Sequence, residues 1–246
     1  MERSLPRHAK ARKTKKRAAK NDITDQSQGN DNFPTGRIFD ASIYPAHFAP
    51  ADIESKVGPW NLVASPSSLS KCPCCLQYES QNGRLVIAIA GACINHGKDS
   101  PSSRSAIGVY FGPDNQYNIG ASLGKTQHTT QIAELRACIT ALQTAITIWK
   151  TTNPVAEHSP CHPMRLVVIK TESPYLVNGA TEWLPKWKEN GWKGCKGQKV
   201  ANDELWRVID LWIRHLESEV TVQFWRVSKK ENQVADGMAH SAMGTA

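Results

Sequence analysis

The chain has 246 residues, with 30 Lys and Arg against 22 Asp and Glu and a formal charge of +8. That length holds one ordinary domain plus extensions. No apolar run is long enough to span a bilayer and the N-terminus has no apolar signal core, so the expectation is a soluble, intracellular protein without a membrane partner.

Charge is concentrated at one end. Residues 1–20 hold nine of the basic residues and a single acidic one, Glu2, so the remaining 21 of each sign cancel. Residues 1–35 are polar and charged and read as a disordered basic tail. The run at residues 10–17, KARKTKKR, suits a nuclear-import signal, a non-specific nucleic-acid arm or a merely solvated arm. Nuclear or cytoplasmic location is the corresponding expectation. Residues 36–83 contain Pro, Ser and aromatic side chains without periodicity and read as an irregular extension. The seven Cys do not form paired C-x-x-C motifs, so reduced thiols are expected. His158 and His162 flank Cys161 in a Pro-containing loop, a weak metal candidate.

From residue 84 to residue 242 the pattern becomes regular. Residues 85–89 read as a buried strand closed by small residues, Ala90 and Gly91. Residues 106–111 read as a second strand, followed by a Gly-Pro-Asp-Asn turn, and residues 117–123 as a third. Ile132, Leu135, Ile139, Leu142, Ala145, Ile146 and Trp149 recur at three- and four-residue steps and predict a helix over 130–149. Residues 165–171, RLVVIKT, form an apolar run suited to the centre of a sheet. Helices follow at 174–178, 182–188 and 203–218, then a strand at 220–227 and a helix at 233–242. Three strands joined by short turns, then alternating helix and strand, predict an α/β fold with a mixed sheet.

Several segments carry a specific resemblance. They are RLVIAIAGAC around Ala90, GVYFGPDNQYN, QIAELRAC with Glu134, VVIKTESPYLVNG with Glu172, the Trp- and Lys-rich stretch VNGATEWLPKWKENGWKGCKGQKVAND, and NQVADGMA with Asp236. Together they resemble the ribonuclease H family, type 1 and eukaryotic-like. The resemblance implies a ribonuclease H-like fold, with a five-stranded mixed sheet and helices on both faces, over residues 84–242. It implies cleavage of the RNA strand of RNA–DNA hybrids, using two Mg2+ (or Mn2+) ions clamped by four carboxylates.

The four ligand positions are Ala90, Glu134, Glu172 and Asp236. Glu134 and Asp236 match the family directly. Glu172 replaces an Asp and is one methylene longer. Ala90 replaces the first catalytic Asp and has no ligand atom. His96, Thr130 and Gln127 stand where the family has Asn, Asn and Arg, and the loop that often carries a catalytic His is absent. By the same resemblance Thr129 and Asn202 hold a DNA phosphate, and Tyr175 and Trp183 line the channel. Trp187, Lys188 and Lys193 belong to the aromatic, basic protrusion, whose rings pack on sugars or bases while its ammonium groups neutralise phosphate.

The leading expectation is a monomeric protein that recognises RNA–DNA hybrid or duplex with weak or lost hydrolysis. The alternatives are an active metal-dependent hybrid endoribonuclease and a non-catalytic protein-interaction scaffold.

Overall fold

In a computed structural model, residues 36–44, 46, 48–64, 83–94, 104–124, 129–151 and 164–244 are described. The basic tail, Cys72, Cys74, Cys75, His96, Gln127 and the His158–Cys161–His162 group lie outside them. The elements in chain order are α1 (Pro50–Ile53), β1 (Glu54–Val57), β2 (Trp60–Val63), β3 (Arg84–Ile94), β4 (Arg104–Tyr110), β5 (Ile119–Ser122) and α2 (Thr130–Thr151). They continue with β6 (Leu166–Thr171), α3 (Pro174–Asn178), a π-helical turn (Gly179–Trp183), α4 (Leu184–Glu189), α5 (Asp203–Glu217), β7 (Thr221–Arg226), a 3-10 turn (Lys229–Asn232) and α6 (Gln233–Gly244). No helix among the described residues is long and apolar enough to cross a membrane.

The five expected strands form a mixed sheet. β3 pairs antiparallel with β4, which pairs with β5, while β3, β6 and β7 run parallel. Period-two alternation explains both covers of the sheet. Leu85, Ile87 and Ile89 of β3, with Ile107 and Val109 of β4, face the main core, shared with α2 and α5. Ala88, Ala90 and Ala92 face the other way, beneath Ala235, Ala239 and Ala242 of α6. Small side chains let α6 approach the strands closely. A Cβ at Gly108 would overlap the carbonyl of Ala235, so only glycine fits there.

Two expectations are corrected. β3 does not stop at residue 89. It runs through Ala90 and Gly91 to Ile94, because those residues pair in register with Arg104 to Gly108 of β4. Residues 36–83 are also not irregular throughout. β1 and β2 form a hairpin whose second strand joins β3 at Leu62 and Leu85, making the sheet seven-stranded.

The chain before this hairpin straps the sheet. Ile38 bridges Phe224 at the β7 edge, and Phe39 N–H donates to Phe224 O at 2.9 Å. Phe39, Tyr44, Ile53 and Val63 then cover Val86, Val168 and Trp225. The sheet face opposite the main core is thus closed by the strap at one end and by α6 at the other.

Candidate active site and nucleic-acid face

Glu134 sits in the first turns of α2, whose start is capped by Thr129. The Thr129 hydroxyl accepts from Ile132 N–H at 3.2 Å. Gly91 lets this helix cross the strand, since a Cβ there would overlap the backbone of Ala133 and Glu134. Glu172 follows β6. Next to it, Ser173 does two jobs: its hydroxyl donates to Glu134 Oε2 at 2.6 Å and accepts from Leu176 N–H at 3.2 Å, capping α3. Asp236 lies in the first turn of α6.

The three carboxylates feel one another. Burial pushes the Glu134 carboxyl up, Ser173 opposes that, and Glu172 adds to it. Burial also raises Glu172, reinforced by Asp236 and opposed by Lys229 and His240. Glu172 Oε2 is buried without a hydrogen-bond partner. Asp236 already has basic side chains beside it: Lys229 Nζ lies 3.4 Å from Oδ2, and His240 Nδ1 lies 3.3 Å from Oδ1. The His240 ring nitrogen is also 2.8 Å from the Asp236 carbonyl oxygen.

Ala90 occupies the fourth position. It is buried in the alanine cluster under α6 and offers no oxygen. Among the described residues, no three His, Cys, Asp or Glu side chains are gathered so that they could hold a metal ion. The residues present do not fit a two-metal centre, because the strand that would supply a shared ligand supplies a methyl group.

The second constellation is aromatic. Gly179 lies against Trp206, and a Cβ there would strike the indole ring. Trp206 is fully buried and donates its indole N–H to the Tyr175 hydroxyl at 2.9 Å. Asn202 Nδ2 donates to the same hydroxyl at 3.3 Å, from a left-handed backbone with φ of 57°. From Tyr175 the rings continue outward: Tyr175–Trp183 at 6.0 Å, Trp183–Trp187 at 5.8 Å and Trp187–Trp192 at 6.3 Å between centroids. The Arg207 guanidinium lies 4.2 Å from the Trp192 ring centroid.

Tyr175, Trp183, Trp187 and Asn202 are therefore brought together. Lys188 pairs with Asp210 at 3.1 Å and stays partly exposed, while Arg214 shares the same carboxylate. Lys193 is exposed on a turn held by Asn190, whose side-chain oxygen accepts its N–H at 3.0 Å. Thr129 serves as a helix cap and makes no described contact with the aromatic ladder.

Sequence reasoning missed Ser173, Lys229, His240 and Arg207. His240 was within reach, because it stands four residues after Asp236 on a helix and so shares its face. Ser173 before Pro174 carries the mark of a helix cap. Lys229 and Arg207 left no such signal.

The chain is similar to known proteins. The RNase H family model matches residues 82–244. Human Ribonuclease H1 is 36% identical over 120 residues, 49% of this chain and 36% of that protein. The Ribonuclease H of a Cyanothece species is 35% identical over 120 residues, 49% of this chain and 64% of that protein. The chain thus spans about a third to two thirds of the length of these relatives. Among solved structures, the RNase H domain of PFV is 21% identical, with a TM-score of 0.48, covering 65% of this chain and 94% of that one.

Proposed function

The chain belongs to the RNase H family, and from that premise we propose that it binds RNA–DNA hybrid or duplex through its aromatic, basic face with hydrolysis weak or lost. One observation supports the reading: the Trp and Tyr ladder is assembled, while buried Ala90 stands where the family resemblance expects the first carboxylate ligand. Rings on this ladder suit sugar and base faces, and Lys193 with neighbouring lysines suits phosphate. A single pre-organised contact to the transition state is worth about 10²–10³ in rate, and a ligand shared by two ions more.

By the resemblance, Glu134, Glu172 and Asp236 are the remaining candidate ligands for Mg2+ or Mn2+, a set without the shared ligand of the first strand. The protein acts as a monomer, and the basic run at residues 10–17 directs it to the nucleus; a cytoplasmic reporter fused to that run would count against import.

The deciding experiment incubates the pure protein with a labelled hybrid and Mn2+, beside an Ala90→Asp, Glu172→Asp double variant. Little cleavage by the native chain and a gain in the variant support the proposal. Cleavage by the native chain that vanishes in Asp236→Asn establishes an active nuclease instead. Hybrid affinity should fall in Trp183→Ala and Lys193→Ala. Unchanged affinity in both leaves the scaffold reading.

A further inference from the structure

Trp192 is the last ring of the ladder, and its backbone is strained. Its φ of 64° lies in the left-handed region, which a bulky side chain adopts only where its surroundings enforce it. The main chain supplies part of that enforcement: Trp192 N–H donates to Trp187 O at 2.7 Å, and Val200 N–H donates to Trp192 O at 3.2 Å. Side chains supply the rest. The Trp187 ring lies 6.3 Å away between centroids, and the Arg207 guanidinium lies 4.2 Å from the Trp192 ring centroid.

Arg207 comes from α5 and stands outside the segments that carry the family resemblance. Its Nε donates to Asp203 Oδ2 at 3.3 Å, and Lys199 Nζ lies 2.8 Å from Oδ1 of the same carboxylate. Asp203 is 6% exposed, so this anchor is fixed in the fold. Lys199 in turn bridges Lys193 across a turn closed by Gly194 N–H, which donates to Gln198 O at 2.8 Å. One buried carboxylate thus ties down both the ring and the far side of the turn that carries the exposed Lys193 and Lys196. Arg207 commits its Nε to Asp203 and its planar face to Trp192, a stacking role that an ammonium group fills less well.

We propose that Arg207 is a positioning residue for nucleic-acid recognition: it latches Trp192 and so holds the lysine-bearing turn in the shape that meets a phosphate backbone. The inference rests on the hybrid-binding reading above. A binding-competent shape that is only partly populated weakens apparent affinity by that fraction, so a latch acts on affinity without touching the ligand.

The test compares the full chain with its Arg207→Gln variant in two ways. Hydrogen exchange reads the turn without nucleic acid: the amides of Trp192 and Gly194 should exchange several-fold faster in the variant, with the melting temperature nearly unchanged because Arg207 is exposed. Hybrid affinity, measured across salt concentrations, should fall about three- to tenfold, the scale of a lost cation–π contact, at an unchanged salt slope. Arg207→Lys should restore only part of the loss. In a Trp192→Gly background, Arg207→Gln should cost no further affinity. Unchanged exchange in Arg207→Gln, a slope reduced by about one (the mark of a direct phosphate contact), or an equal loss in the Trp192→Gly background would each overturn the latch. A native chain that binds no hybrid would instead sink the recognition reading, and this role with it, even where exchange quickens.

Discussion

Ala90 is where a single side chain decides most. Its methyl group packs under Ala235 and Ala239, so it contributes to seating α6. Ala90→Asp introduces a fourth carboxylate beside three that already repel. Without divalent ions it should destabilise the fold by about 2–4 kcal/mol, the cost of a buried, uncompensated charge. Mn2+ should recover part of that loss in the variant and little in the native chain; equal recovery in both, read by thermal melting, would mean that the native carboxylates already accept the ion. Glu172 gives a second prediction, with a definite sign. Its folded carboxyl is raised above the ordinary value of 4.5, chiefly by burial. A raised acid favours the fold below its unfolded pKa, and that contribution is lost as pH rises through the folded one. Glu172→Gln should therefore melt higher than the native chain at pH 7.5, with the gap closing by pH 4. A gap that widens on acidification would show that the charged form is the stabilised one.

Helices and strands were legible where their pattern was long. The stripe from Ile132 to Trp149 predicted α2 almost to the residue, and the apolar run before Glu172 predicted β6. The end of β3 was misread because alanine and glycine look like a turn in isolation, whereas their role is to admit α2 on one face and α6 on the other. The hairpin was missed because its strands are four residues each, and Glu-Ser-Lys-Val shows no alternation. Its register comes from β3 and from Asn61 N–H donating to Phe111 O at 2.7 Å, a contact far away in sequence. The π-helical turn was equally hidden, since it depends on how Gly179 meets Trp206. That junction sets the ladder: Trp206 holds Tyr175 by hydrogen bond and packs edge-on to Trp187 at 5.5 Å. Gly179→Ala should cost about 1–3 kcal/mol as an overpacked contact. It should also weaken hybrid binding beyond what reduced folding explains. Measured well below the melting temperature, an unchanged affinity would detach the ladder's geometry from recognition.

Across the whole molecule, the strap and hairpin are part of the core rather than an appendage. Phe39, Tyr44, Ile53 and Val63 are buried on the sheet, and apolar side chains of this kind contribute about 1.5–3 kcal/mol each. Domains have a net margin of only about 5–15 kcal/mol, so a chain beginning at Gly83 should be severely destabilised. Loss of apolar cover alone does not identify the cause, but Lys170 does. It is 6% exposed, it follows four apolar residues in β6, and its ion-pair partner Glu54 comes from the hairpin. Its ammonium group also lies 5.9 Å from the centre of the Trp225 ring, beneath the strap. In the full chain, Lys170→Met strands Glu54 and should cost about 3–5 kcal/mol, the cost of breaking a buried pair. In the chain beginning at Gly83, the lysine has already lost that partner, so the same substitution should raise the melting temperature. The reversal of sign is the diagnostic, because a side chain that merely packs would give the same sign in both backgrounds. Destabilisation of equal size with and without residues 36–64 would show that the hairpin does not hold Lys170, and that the sheet's interior charge is balanced from elsewhere.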